Sequence, residues 1–171
     1  PWALRYKVRM SHLPTPTLEP VCELTVSVAT PIEAGAVTGL NSHGRRRIIP
    51  ITGGTVRGRL NGTVLPGGAD FQLVVSDTCA DLDARYLLRL DDAPWAGAHV
   101  FVHNRALRRA SADNTARLVR GEPVDPAAIY FRCAPRFEVS HPALNWMTES
   151  LFIGTGARFP DRVEMRFFHL A

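Results

Sequence analysis

From Val21 onward the chain alternates apolar and polar residues with a period of two. Cys22, Leu24, Val26 and Val28 fall on one face of the first stretch, and Glu23, Thr25 and Ser27 on the other. This is the pattern of a strand with one face on a core and the other in water. A longer alternation follows, with Leu82, Ala84, Tyr86, Leu88 and Leu90 on one face and Asp81, Asp83, Arg85 and Arg89 opposite. Similar stretches predict strands over 55–65, with Asn61-Gly62 as a kink, and over 70–75, 80–90, 99–104, 130–139, 150–154 and 162–169. Residues 48–52 are apolar but interrupted by Pro50, which reads as an edge strand or a barrel rim.

The punctuation between these stretches is turn chemistry. Pro66-Gly67-Gly68 predicts a hairpin turn, and residues 31–45, with Gly35, Gly39 and Gly44, read as a loop. One helix is predicted over 112–120, with Ser111 as its N-cap and Gly121 as its stop. About eight to ten short strands at close spacing argue for an all-β domain, either a closed antiparallel barrel or a sandwich. Residues 1–20 carry Pro1, Pro14, Pro16 and Pro20 without periodicity and read as an extended or disordered arm, leaving 21–171 as one domain. The length of 171 residues suits a single core that needs neither disulfides nor a metal to fold.

Charge narrows the partners. The chain has 20 Lys+Arg against 16 Asp+Glu. Arg5, Lys7 and Arg9 lie in the arm and Arg45, Arg46 and Arg47 in one loop cluster; setting these six aside from the 20 leaves 14 basic residues against 16 acidic ones. No basic face remains to track a phosphate backbone, so nucleic acid is not an expected partner. No apolar run is long enough to span a bilayer as a helix, and the N-terminal residues lack the apolar stretch of a secretory signal, so a cytoplasmic location is expected. Lys7 is the only lysine among many arginines, a composition that points to a GC-rich bacterial genome. Cys22, Cys79 and Cys133 are odd in number and far apart, and read as reduced thiols.

Metal and phosphate chemistry have little support. The glycine pairs Gly53-Gly54 and Gly67-Gly68 are followed by no lysine and no helix, so they read as turns. His99 and His103 share a strand face about 13 Å apart, too far for one metal to bridge, although a three-histidine site assembled across strands stays open. No cofactor is expected.

The polar residues that could carry chemistry lie inside the strands. Asp70 and Gln72 share a face just after a tight turn: Asp70 is a candidate acid or base, and Gln72 a candidate to orient a carbonyl. Asp83 and Arg85 share the face opposite Tyr86; they read as an outward charge ladder with Tyr86 inside, or as a base and an anion clamp inside the barrel. Regular alternation forbids Arg85 and Tyr86 from lining the same side. Tyr130 and Arg132 share a face, and Glu138 falls on the same parity if Pro135 leaves the strand straight. Trp146 is either a wall of the barrel or a stacking surface for a ligand.

Several blocks, taken in order, resemble one family. They are residues 46–55, from Arg46-Arg47 to Gly53-Gly54-Thr55; residues 65–72, from Leu65-Pro66-Gly67-Gly68 to Gln72; and Leu82-Asp83-Ala84-Arg85-Tyr86. Tyr130-Phe131-Arg132, Pro135-Arg136-Phe137-Glu138, Trp146 and Leu151-Phe152-Ile153-Gly154 complete the set. Together they resemble the bacterial and fungal family known as domain of unknown function 3237, over nearly the whole chain. The resemblance implies a lipocalin-like antiparallel barrel and no particular reaction. Leu144 and Thr148 stand where such proteins usually carry an aromatic and an asparagine, and Pro94-Trp95-Ala96-Gly97 looks like an enlarged hairpin tip.

Two functions follow as expectations. The first is a cofactor-independent enzyme of isomerase, cyclase or lyase type, acting on a hydrophobic or aromatic carbonyl compound in the barrel. Asp70, Asp83, Arg85 and Glu138 would be its catalytic candidates, and Gln72, Tyr86, Tyr130, Arg132 and Trp146 its ligand-binding candidates. The second is a non-catalytic binding or carrier protein with an apolar lumen. A homodimer is compatible with either.

Overall fold

The computed structural model describes residues 12–171. Ten strands and one helix follow in the order β1 (Leu18–Val28), β2 (Ile32–Gly39), β3 (Ser42–Gly58), β4 (Gly62–Val64), β5 (Ala69–Ser76), β6 (Cys79–Leu90) and β7 (His99–Arg109), then α1 (Ala112–Val119), β8 (Tyr130–Val139), β9 (Leu151–Arg158) and β10 (Arg162–Leu170). Every pairing is antiparallel, and the sheet closes on itself because β1 pairs with both β10 and β3. The result is the closed antiparallel barrel that the strand spacing and the resemblance anticipate. Closure leaves the barrel itself without free edges, and among the described strands only β2, which pairs with β3 alone, keeps an outer edge unpaired.

The alternation of the sequence becomes the inside and outside of this barrel. In β6, Ala80, Leu82, Tyr86, Leu88 and Leu90 are buried while Arg85 and Arg89 are exposed. In β8 the even-numbered residues Arg132, Arg136 and Glu138 face out, and Phe131, Cys133 and Phe137 are buried. One end of the barrel is filled. Leu144 and Met147, from the 3-10 turn Pro142–Met147, are fully buried there, and the Phe137 and Phe152 rings meet edge to face at 5.0 Å. α1 keeps its expected cap: Asn114 N donates to the Ser111 hydroxyl at 3.1 Å, and Gly121 takes a positive φ just beyond the helix. Leu118 anchors α1 in the core.

Three segments differ from the sequence reading. Residues 32–39 and 42–47 are not a loop but the hairpin of β2 and the start of β3, paired from Ile32 with Ile48 to Gly39 with Ser42. Almost all of β2 is exposed, so no buried face imposes an alternation that could be read. Residues 48–52 are no edge: they sit inside the long β3, where Pro50 pairs with Ala69 and its carbonyl accepts from Ala29 N. β1 begins at Leu18, and Thr17 exchanges both backbone hydrogen bonds with Ala171, so the ordered strand reaches into the expected arm. The rest of that arm, residues 1–11, lies outside the described residues.

Candidate functional site

Opposite the filled end, small and polar side chains interrupt the apolar lumen. Asp70 and Gln72 of β5, Tyr86 of β6, Asn104 of β7 and Arg158 of β9 line one cavity, walled by Val26, Ile49, Ile51, Leu82, Phe131 and Met165. Its volume is about 50 Å³, room for a few waters or the small end of a larger ligand. Ala29, Pro31 and Pro160 form its outer rim.

The strand register brings these groups together. Asp70 pairs with Ile49 on one side and Ala84 on the other, and Ala84 pairs with Asn104. Gly68, at the turn before β5, has its back against Arg85 O and the Tyr86 backbone; a Cβ there would lie 2.5 Å from that oxygen. The close approach seats the turn directly beside Tyr86.

Asp70 is held by two donors. Gln72 Nε2 donates to its Oδ2 at 2.7 Å, and the backbone N of Asp83 donates to its Oδ1 at 3.1 Å. Burial raises its pKa and outweighs the opposing pull of the Gln72 hydrogen bond and the Arg108 charge. Tyr86 is completely enclosed, and burial drives its pKa well above the ordinary tyrosine value, so its hydroxyl stays a donor. Three buried polar atoms on this cavity have no hydrogen-bond partner among the described residues: Gln72 Oε1, Tyr86 Oη and Asn104 Oδ1. Asn104 Nδ2 donates to the thioether of Met165, at 3.4 Å. Orphaned polar atoms converging on one space are what a ligand-binding lumen presents.

Of the sequence candidates, Asp70, Gln72 and Tyr86 reach the cavity. Asp83 and Arg85 do not. They lie on the outer face of β6, as the charge-ladder reading has it, with Arg85 Nε 3.3 Å from Asp83 Oδ1 and His103 Nε2 2.9 Å from the same oxygen. Burial alone would raise the Asp83 carboxyl, but the hydrogen bonds and charges of Arg85 and His103 together hold it below its usual range. Asp83 meets the cavity only through its backbone N–H on Asp70. Glu138, Tyr130 and Arg132 are exposed on the outer face of β8, because the strand stays in register through Pro135 and keeps all three on one parity. The Arg132 guanidinium lies over the Tyr130 ring at 5.2 Å. Trp146 packs at the filled end beside Phe152, with the Arg59 guanidinium 4.1 Å above its ring.

The sequence reading missed Asn104 and Arg158, together with Arg47 and Arg108 just beyond them. Running the β7 alternation on past residue 104 places Asn104, Ala106 and Arg108 on the face of Val100 and Val102, a signal present in the sequence. Arg47 could not be found while residues 31–45 and their neighbours read as loop. The cysteines are free; burial pushes the Cys22 and Cys133 thiols up to about 12, which leaves them inert. Among the described residues no three His, Cys, Asp or Glu side chains converge as metal ligands, and no helix is long and apolar enough to cross a membrane.

Comparison with known proteins places this barrel in context. The family model described as "Protein of unknown function (DUF3237)" matches residues 16–170. The UPF0311 protein RPA1785 of Rhodopseudomonas palustris is 44% identical over 152 residues, covering 87% of this chain and 94% of the relative. The crystal structure of that conserved protein of unknown function superimposes with a TM-score of 0.83 at 40% identity, over 93% of this chain and 99% of the other. A beta-barrel like protein from Acinetobacter baumannii follows at 0.77 and 36%, over 93% and 98%. A protein described as an enzyme, from Penicillium herquei, shares the fold at a TM-score of 0.61 and 20% identity, over 93% and 98%.

Proposed function

The chain belongs to the DUF3237 family of proteins of unknown function, and on that premise we propose that its barrel is a cofactor-independent acid–base enzyme acting on a small carbonyl compound. The observation that carries this reading is the Asp70 carboxyl, raised in pKa by burial, on the same cavity as the Tyr86 hydroxyl. A carboxyl shifted upward by a water-poor site is a stronger base than an ordinary carboxylate and is placed to take and return a proton.

The roles follow from the chemistry of each group. The Asp70 carboxylate takes the proton from the carbon next to a carbonyl, leaving the electron pair as an enolate. The Tyr86 hydroxyl donates to the enolate oxygen, and the Asn104 amide is the second polar group facing it. Gln72 fixes the carboxyl through its donated hydrogen bond and leaves its own carbonyl oxygen for a ligand hydroxyl. Asp70, its proton free to exchange with water through the rim, then returns a proton to another carbon, an isomerisation that needs no co-reactant, or to a leaving group, an elimination. The small lumen admits only the reacting end of the ligand. An apolar or aromatic body would rest on the rim at Ala29, Pro31 and Pro160.

The test is hydrogen exchange. A panel of enolisable aldehydes and ketones is incubated with the protein in D2O, and loss of the α-proton signal is followed by 1H NMR. Exchange accelerated by the wild type and not by Asp70→Asn supports the reading. Ligands that bind the wild type saturably and show no accelerated exchange overturn it in favour of a carrier, to which the apolar walls are equally suited.

A further inference from the structure

We infer that Arg47, Arg108 and Arg158 form an anion-binding site at the open end of the lumen, and that the ligand of this barrel therefore carries a carboxylate or a similar anionic group. The inference rests on the lumen being the ligand site, and it adds the chemical class of that ligand.

Three guanidinium side chains point inward at the same end of the barrel, from β3, β7 and β9. Arg47 and Arg108 are buried, at 7% and 9% exposure, and Arg158 is half-buried. Arg158 lines the lumen beside Asp70. Arg47 and Arg108 line the adjoining open cleft of about 410 Å³, roofed by Ala112, Thr115, Ala116 and Val119 of α1. Arg158 thus faces the lumen while Arg47 and Arg108 face the cleft under α1, and the three charges act on one another.

Buried guanidinium groups are ordinarily paired with carboxylates. Among the described residues only Arg47 of the three has such a partner. Among the described residues Arg108 has neither an ion-pair nor a hydrogen-bond partner, and Arg158 donates only to the backbone carbonyl of Leu118, at 3.3 Å. Arg47 Nε lies 2.7 Å from Glu33 Oε1, but off the line of its N–H, so the contact is an ion pair without a formed hydrogen bond. Glu33 itself is exposed on β2. The other carboxyl near the cluster is Asp70, already taken up by Gln72 and the Asp83 amide. The mutual repulsion leaves its mark: burial first, and then the Arg158 charge, bring the Arg108 pKa down to about 10. A cluster that disfavours its own charge and leaves planar donor forks unfilled fits an incoming anion, and a carboxylate matches those forks two oxygens at a time. Arg47 and Arg108 are themselves buried, so such a contact is stronger than one at the open surface.

An anion on the arginines and a carbonyl at Asp70 describe one molecule: a carbonyl compound bearing a carboxylate. The same cations would help hold the negative charge that develops on an enolate.

The test uses the full chain and named probes. Pyruvate, phenylpyruvate and benzoate are titrated against 15N-labelled protein, together with the methyl esters of the same three acids, and the arginine Nε–Hε resonances are followed. The expected result is saturable binding of the anions, at least about tenfold tighter than the esters, with the largest shifts at Arg158 and Arg108. Arg108→Met and Arg158→Met, which keep the apolar stem and relieve the repulsion, should fold and lose that preference. Asp70→Asn should keep it. If none of the anions binds saturably, or the preference survives in both arginine variants, the anion site is refuted, while exchange that depends on Asp70 would still stand. Anions that bind at the arginines without any Asp70-dependent exchange would instead uphold the site and refute the acid–base reading.

Discussion

The Gln72 carboxamide donates to the Asp70 carboxylate at 2.7 Å, from two residues along the same strand and the same inner face. That donor stabilises the charged form and partly offsets the rise that burial imposes on Asp70. Gln72→Leu removes it, so the Asp70 pKa climbs further. The limb of the pH–rate profile that reports carboxylate formation should move to higher pH, as followed by deuterium exchange of a bound carbonyl compound across pH.

The raised pKa of Asp70 also sets a stability slope. The folded state holds this proton more tightly than the unfolded chain does. The contribution of Asp70 to stability is therefore full below the unfolded value of about 3.9 and declines as pH rises through the folded value. Asp70→Asn removes that decline. The variant should melt higher than the wild type at neutral pH, and the two should converge in acid, as read by calorimetry at a series of pH values. A site residue that costs stability while carrying activity is the usual trade.

Tyr86 buries a hydroxyl with no hydrogen-bond partner among the described residues. Tyr86→Phe should stabilise the fold by about 1 kcal/mol, because an unsatisfied buried polar group is lost. Exchange activity should fall about 100-fold if that hydroxyl holds the developing oxyanion. Denaturant unfolding and the exchange assay read the two effects separately.

The outer charges should be bystanders. Asp83→Asn, Arg85→Gln and Glu138→Gln alter exposed or half-exposed groups, and the tie between Asp83 and the site runs through a backbone amide that substitution leaves in place. Each should change stability by less than about 1 kcal/mol and leave exchange within a factor of about two.

Gly54 is the position where the closure of the barrel is most exposed to a single change. Its φ is 145°, and a Cβ there would collide with Thr25 O across the β1–β3 pairing that shuts the sheet. Gly54→Ala should cost about 3 kcal/mol, measured by denaturant unfolding.

Much of this was legible in the chain itself. Period-two alternation favoured Tyr86 inside and Arg85 outside, because a buried face leaves its imprint on every second residue of β6, but it left open the opposite reading that made Asp83 and Arg85 catalytic candidates. The turn at Pro66-Gly67-Gly68 put Asp70 and Gln72 on one face at the start of β5. What was hidden was hidden for physical reasons. The exposed β2 has no buried face to pattern it, so its hairpin with the start of β3, where Arg47 sits, read as loop. Inward-pointing arginines read as surface charge, since alternation marks an inner face by apolarity and a functional lumen breaks that rule. Trp146 and the outward Tyr130 and Arg132 drew attention by residue type, and type alone does not tell which side of a barrel a side chain takes.

The most direct test is the titration of Asp70 itself. Protein labelled with 13C at the aspartate carboxyls, with Asp70→Asn to assign the signal, gives the midpoint of this one group by NMR. The expected midpoint lies clearly above the ordinary aspartate value of about 3.9, and higher still in Gln72→Leu. A midpoint at or below that value would mean the carboxyl is solvated or firmly paired, and the lumen would lose its acid and base.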